Sequence, residues 1–548
     1  MNDAQIIRKA RGAFFTPPGI TRFITDWAVR KSVDAVLEPS CGEAAFLLAA
    51  GDRLTQLGAN PTALNGQMSG VEIDQISAGR GLARLRQSNL DASMMVADFF
   101  DCPPMATFDA VVGNPPYIRY QQFKGAARAG AINAALAAGV RLSGLASSWA
   151  AFVIHASRFL KPNGRLGLVL PAELLTVGYA APVRRFLLAR FACIRLVMFD
   201  RRVFPDVTEE VVLLLAENGP DSEYKVVHAC DIEHLCRLEP SCWNRVDLGI
   251  CDKWTQSLLD PSAFRTYQRL CLDNRFVSLK DWGSTYLGAV TGNNAYFTLS
   301  SSDLATHGLS ENDCLRLLPP GSRHLDGPTF SSSHWQALRD NNGRCHLFYP
   351  DTNEPSIASC RYIAFGESLG VNNAYKCRVR KPWWKVPLVA LPDLFLTYMN
   401  HDRLRLIANE AGVQPINSVY GVTLRPSMQA SGRALLPLAA ANSLTMLGTE
   451  LVGRAYGGGL LKLEPREADQ LPLPSTETLT ALAPELMALS LALPSIPEMD
   501  VVEAVDEVLL VRHLGLCRTD IRALREARAV LFGRRRGRAR PAVGIIPA

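Results

Sequence analysis

The segment FDAVVGNPPYIRY, Phe108 to Tyr120, changes character at its middle. Its first half, DAVVG, is a short apolar run that predicts a buried strand. Its second half, Asn114-Pro115-Pro116-Tyr117, is a stiff polar loop at that strand's carboxyl end, because two successive prolines fix φ and remove two N–H donors. The side-chain oxygen of Asn114 and the carbonyl of Pro115 can then point together at one amino group. An exocyclic amine conjugated to a purine ring is a poor nucleophile, since its lone pair is delocalised. Two acceptors holding its N–H groups favour a pyramidal nitrogen and free that lone pair. Tyr117 adds a flat face on which a base can stack. Asn-Pro and Pro-Pro are also common turn punctuation, so the loop takes its meaning from its surroundings.

Outward from this segment, short β-rich runs alternate with helical stretches over about the first 235 residues. Ala35–Glu38, Gly70–Ile73, Ala110–Val112, Leu166–Leu170 and Val211–Leu215 are predicted strands, and the alternation points to βαβ units and a parallel sheet. Open sheets of that kind bind ligands beyond the carboxyl ends of their strands. Val36 to Phe46, VLEPSCGEAAF, is a strand, a tight Pro-Ser-Cys-Gly turn and a helix start, which lets a ligand approach the backbone at Gly42. Gly70 to Asp74, GVEID, puts a carboxylate at the next strand end, where it can accept from both ribose hydroxyls of a nucleoside. Asp98 and Phe99 follow a third strand, with an acceptor for an adenine amino group and a ring to pack on it.

The 548 residues suffice for two to four domains, and 48% hydrophobic with 20% charged residues describes a globular chain. The net charge is +6, but Arg534, Arg535, Arg536, Arg538 and Arg540 supply five of those charges and leave the rest nearly neutral. A nucleic-acid surface would therefore be a local patch. The start has no apolar signal region, no apolar run reaches the ~18 residues of a membrane span, and the thirteen cysteines contain no C-x-x-C pair. These features predict a soluble, cytoplasmic protein without a membrane partner. His228, Cys230, His234, Cys236 and Cys242 lie close together, but their spacing fits no zinc finger, and no metal is expected.

From about Asp231 helical periodicity fades, and turn sequences, aromatics and arginines increase. A mixed α+β, loop-rich domain is expected over 236–475, with LPLPSTETLT as a linker and a helical C-terminal segment, 476–548, ending in a disordered basic tail. Lys376, Arg378, Arg380, Lys381 and Lys385 interleave with Tyr375, Trp383 and Trp384, a pattern suited to phosphates and base or sugar faces. The loop Gly457-Gly458-Gly459 would permit close backbone approach to DNA, and the arginine tail would add salt-sensitive affinity.

GAFFTPPGITRFI, VLEPSCGEAAF, GVEID, ADFF and GNPPYIRY resemble, in order, motifs X, I, II, III and IV of the gamma-class adenine-N6 DNA methyltransferases. SSWAAFVIHASRFLKPNGRLGLVLPAELL resembles motifs V and VI, and RRVFPDVTEEVVLLLAENG resembles VII and VIII. The likeness is close over about 220 residues and departs at Gly42-Glu43-Ala44, where many members carry a further glycine. It implies a Rossmann-like class I methyltransferase domain over 1–235, followed by a target-recognition domain. The implied cofactor is S-adenosyl-L-methionine, lined by Thr16, Pro17, Glu38, Ser40, Cys41, Gly42, Glu72, Asp98, Phe99 and Phe152. Asn114, Pro115, Pro116 and Tyr117 would hold and stack the target adenine, with Phe204 covering its other face. The resemblance implies site-specific methylation of double-stranded DNA by base flipping, in a restriction–modification or phage-defence system. A monomer on DNA, with a separate endonuclease as possible partner, is expected. About ten residues precede motif X, so no fused N-terminal nuclease is expected. Acceptors with a similar amine, an adenine in structured RNA or a protein glutamine, are the alternatives.

Overall fold

The computed structural model describes residues 16–199, 203–204, 210–220, 222–246, 253–456, 459–493 and 500–537. The chain divides into two compact units, 1–258 and 259–548.

The first unit is built on a nine-stranded sheet in the order β3-β2-β1-β4-β5-β7-β6-β8-β9. The strands are β1 (Val36–Pro39), β2 (Met68–Glu72), β3 (Ser93–Val96), β4 (Phe108–Gly113), β5 (Leu160–Pro171), β6 (Cys193–Phe199), β7 (Val211–Glu217), β8 (Glu223–Ala229) and β9 (Asn244–Arg245). β1 pairs in parallel with both β2 and β4, so the chain winds outward to β3 and then returns to the other side of β1. That reversal opens a crevice beyond the carboxyl ends of β1 and β4, where doubly wound sheets take their ligands. The five strands read from the sequence all form. β6, with its buried run Cys193–Phe199, was not among them. The sheet is also not wholly parallel: β7 runs antiparallel between β5 and β6. The first unit extends past the expected boundary at 235, since β8 and β9 prolong the sheet and Tyr224 on β8 packs edge-on against Trp254 at 5.0 Å.

Helices α1 (Pro18–Ala28), α2 (Ala45–Gln56), α3 (Gln75–Gln87), α4 (Gly125–Leu136) and α5 (Ser148–Ser157) accompany the first five strands. Pro17 precedes α1 and Pro18 opens it, where a missing N–H costs nothing. Ile20, Ile24 and Ala28 then recur every fourth residue and are fully buried. Ile24 presses on β5 at Gly167, where a Cβ would lie 2.5 Å from its methyl group, so only glycine admits the helix. Residues 119–147 form a closed excursion between β4 and α5 whose helix α4 buries Ala131 and Ala135. The Ser148 N–H donates to the Ile118 carbonyl across its base at 3.1 Å, and Arg128 bonds the carbonyls of Tyr120, Phe123 and Gly144 on its two limbs.

The second unit carries a mixed five-stranded sheet (Gly283–Leu287, Tyr420–Leu424, Leu394–Leu396, Leu406–Asn409 and Thr329–Phe330) and smaller sheets. The expected linker is structural. Pro472–Pro474 is a buried strand paired with Phe276–Ser278, and Ser475 caps the helix Thr476–Ala481. Alternating Leu and Pro suits a short strand that donates few hydrogen bonds. The basic end is not wholly a disordered tail either, because the helix Arg518–Gly537 runs through Arg534, Arg535 and Arg536. Arg538 and Arg540 lie outside the described residues. Arg535 is 3% exposed and bidentate to equally buried Glu450, at 2.8 and 3.1 Å. It also donates to the carbonyls of His401 and Gly459. Among the described residues no single helix is long and apolar enough to cross a membrane.

Arg535→Ala is expected to destabilise the second unit by about 3–5 kcal/mol, because it strands the Glu450 carboxylate in the interior. A denaturant titration checks this, and an unchanged midpoint would refute the structural role.

Candidate active site

β4 delivers Asn114 to the crevice, and two partners fix its amide. Its Nδ2 donates to Thr16 Oγ1 at 3.1 Å, so the residue just before α1 reaches a loop 98 positions away. Its Oδ1 lies 2.8 Å from the Tyr117 hydroxyl, which is also 2.9 Å from the Val169 carbonyl on β5. A phenol carries one proton, and both oxygens compete for it. When the proton goes to Val169, Asn114 Oδ1 is left with full capacity to accept from another N–H group. Pro115 is buried, and Pro116 uses its carbonyl to accept from Ser148. Tyr117 is half-buried and packs on the apolar cluster that contains Phe204. Phe204 itself is only 4% exposed, so it lies against the core rather than standing open as a second stacking face.

At the end of β1 the loop turns through three left-handed residues at alternate positions, Ser40 (φ 56°), Gly42 (φ 53°) and Ala44 (φ 61°). Two of these are not glycine, and such strain is held at sites where the surroundings fix the backbone. A Cβ on Gly42 would meet nothing within 4 Å, so the loop has an open face there. Ser40 Oγ is buried with no hydrogen-bond partner among the described residues. The Gly42 N–H donates to Glu72 at the end of β2 at 2.8 Å, and the other Glu72 oxygen accepts from Asp74 N–H at 2.9 Å. Asp74 caps α3 through Ser77. Cys41 turns its thiol away, 3.1 Å from Met94 Sδ, and burial pushes that thiol's pKa up. It therefore offers the crevice backbone, not a nucleophile.

Glu38 is buried beneath the loop and accepts from the amides of Phe46 and Leu47 at the start of α2. It braces the turn rather than facing the open side of Gly42. Burial outweighs those two bonds and pushes its pKa up to about 8.

Asp98 caps the turn after β3 by accepting from Phe100 N–H at 3.0 Å. Phe99 is 3% exposed and stacks between Phe152 at 5.3 Å and Phe159 at 5.2 Å. The structure thus brings the expected pair Phe99 and Phe152 into contact, but with Phe99 closed in by rings. Behind it His155 bonds the carbonyls of Phe99 and Cys102 through Nε2, at 3.1 and 3.2 Å, and burial lowers its pKa. Sequence reading missed His155 and Ser148. Their signal was present only as polar residues inside a helix that is buried all round.

The basic–aromatic segment of the second unit is sorted by the structure. Trp384 is buried, Trp383 packs on the same cluster and bonds Glu367 at 3.0 Å, and Arg380 holds the carbonyls of Val290 and Thr291. Those three are structural. Tyr375, Lys376, Arg378, Lys381 and Lys385 remain exposed. Gly457 and Gly458 lie outside the described residues. Among the described residues no group of three or more His, Cys, Asp or Glu side chains is placed to hold a metal, and His234 instead accepts from the Cys230 amide at 3.1 Å.

A raised native pKa stabilises the fold at low pH and is lost as pH rises through it. For Glu38 the loss should run from about the ordinary 4.5 to about 8. Wild-type thermal stability should therefore fall more steeply across that window than that of Glu38→Gln; parallel curves would contradict the assignment.

The family model described as N-6 DNA Methylase matches residues 2–245, and that of the Type II methyltransferase M.Eco57I, C-terminal domain, matches 251–510. The chain is 26% identical over 485 residues to Type II methyltransferase M.XamI of Xanthomonas campestris pv. amaranthicola, covering 86% of each. It is 22% identical over 489 residues to M.AccI of Acinetobacter calcoaceticus, covering 84% of this chain and 85% of that one. Among solved structures, Type IIL restriction-modification enzyme MmeI in complex with DNA superposes with a TM-score of 0.52 at 12% identity. That likeness covers 94% of this chain and 75% of the other, and it speaks to the fold alone. Two family models that together span both units, and relatives matched along most of their length, place this chain in the N-6 DNA methylase family of restriction–modification methyltransferases.

Proposed function

We propose that this DNA methyltransferase moves a methyl group from S-adenosyl-L-methionine to the exocyclic N6 of an adenine flipped out of a defined double-stranded DNA site. The observation that carries this reading is the Asn114 amide, held at the rim of β4 with its oxygen only half-served by a shared phenol proton. The same enzyme would act in the cytoplasm as a monomer, marking DNA against a separate endonuclease.

The loop beyond β1 fits the cofactor in two respects. Gly42 leaves an open face, and Ser40 Oγ is a buried polar atom awaiting a partner. Glu72 would take the ribose hydroxyls, Asp98 with Phe99 and Phe152 the adenine, and Thr16 with Pro17 would close the pocket from the chain's start. When bound, the cofactor supplies a methyl already activated on a sulfonium.

The chain's own residues then have four tasks. Asn114 Oδ1 and the Pro115 carbonyl accept the two N–H groups of the target amine. The Tyr117 ring stacks on the base and repays part of the few kcal/mol that flipping costs. Thr16 keeps the amide turned so that its oxygen, not its nitrogen, meets the amine. To cover the other face of the base, Phe204 would have to leave the apolar cluster it shares with Tyr117. With the amine held in this way its lone pair would be free to take the methyl group that the bound cofactor would supply, and the surplus amine proton would leave to water. No group with a shifted pKa is required for that last step.

Incubation with methyl-labelled S-adenosylmethionine and unmethylated genomic DNA, followed by nucleoside analysis, should give label in N6-methyldeoxyadenosine. Label confined to RNA or protein would keep the catalytic unit and overturn the acceptor. Asn114→Ala should lower the transfer rate by roughly 10² to 10³-fold, as loss of a preorganised polar contact does, while cofactor binding persists. The exposed cations Lys376, Arg378, Lys381 and Lys385 are proposed to meet phosphates. Neutralising any two should then reduce the slope of log affinity against log salt by about 2; an unchanged slope places the DNA elsewhere.

A further inference from the structure

Ser148 opens helix α5, is 1% exposed, and makes three hydrogen bonds to the loop that carries Tyr117. Its hydroxyl donates to the Pro116 carbonyl and accepts from the Ile118 amide at 2.9 Å. Its own amide donates to the Ile118 carbonyl at 3.1 Å. A serine hydroxyl has one proton to give, and here that proton and an oxygen lone pair are both committed to the residues flanking Tyr117. The peptide planes on either side of Tyr117 are therefore fixed to one buried atom. That atom sits on a rigid base, because every residue of α5 is buried. One helical turn further along, Phe152 stacks on Phe99 at 5.3 Å. A single buried helix thus holds the amine-binding loop at one position and the aromatic pair after β3 at the next.

We propose that Ser148 is a positioning residue for methyl transfer, setting the Pro115 carbonyl and the Tyr117 ring in register with the target amine. This rests on the reading of Asn114 to Tyr117 as the loop that holds the acceptor. The two prolines stiffen the loop internally, but stiffness does not place it. Placement requires an external anchor, and Ser148 provides it on both sides of the stacking residue. Displacing a reacting group by an ångström can cost up to about a hundredfold in rate.

The experiment compares wild type, Ser148→Ala and Ser148→Thr for kcat and KM on whichever acceptor the wild-type enzyme labels. S-adenosylmethionine affinity is measured by calorimetry and folding by thermal melting. Ser148→Ala should lose about ten- to a hundredfold in kcat while cofactor affinity stays within about twofold and the protein stays folded. Ser148→Thr, which keeps the hydroxyl, should recover most of that loss. Wild-type kcat in folded Ser148→Ala would overturn the proposal, and so would a loss of cofactor affinity equal to the loss of rate, which marks a general structural role. A wild-type enzyme that labels RNA or protein instead of DNA defeats the acceptor assignment, and the same kcat comparison on that acceptor still decides the role of Ser148.

Discussion

An amide that is to grip a substrate must be oriented by the protein without being exhausted by it. Asn114 meets this constraint by giving its N–H to Thr16 while its oxygen shares one phenol proton with the Val169 carbonyl. These groups come from different parts of the fold: the residue before α1, the loop itself and the carboxyl end of β5. Much of the first unit can be understood as the means of bringing these together. The sheet reverses between β1 and β4, which opens the crevice. Glycine at 167 lets α1 lie close on β5, which brings Thr16 within reach. The proton shared between two oxygens is what leaves the site receptive rather than satisfied.

The parts legible in the sequence were those whose physics is local. A strand followed by Asn-Pro-Pro-Tyr, or by Pro-Ser-Cys-Gly, declares both its conformation and its place at a strand end. The alternation of strands and helices declared the sheet. What was not legible depended on distant partners. The bond from Thr16 to Asn114 spans 98 residues, and nothing in TPPG indicates that its threonine faces a loop rather than a ligand. Ser148 looks like any helix-start serine until its loop is placed beside it. Trp383 and Trp384 sit among cations, which suggested display, yet tertiary packing buries Trp384 and lays Trp383 against the same core cluster. Arg535 belongs to a run of like charges that reads as solvated, and only the position of Glu450, eighty-five residues earlier, makes it a buried ion pair.

The two carboxylates beneath the first loop show how the same residue type serves different ends. Glu38 is wholly enclosed and tied to the start of α2, so it carries the raised pKa expected of a buried acid and keeps the turn in shape. Glu72 stands at the end of β2 with one oxygen on the Gly42 amide and the other on the Asp74 amide. The strained backbone of Ser40 and Ala44 is tolerable because these flanking bonds over-determine it.

The closed excursion between β4 and α5 is tied at its base. Its two ends are already neighbours, joined through Ile118 and Ser148, so the entropy of closing it grows only with the logarithm of its length. Doubling the excursion costs about 0.6 kcal/mol by that scaling. Insertions in its exposed turns therefore cost little, whereas α4 is held by the packing of its buried Ala131 and Ala135. Residues 119–147 thus join turns of adjustable length to one packed helix, directly beside the loop that carries Asn114 and Tyr117.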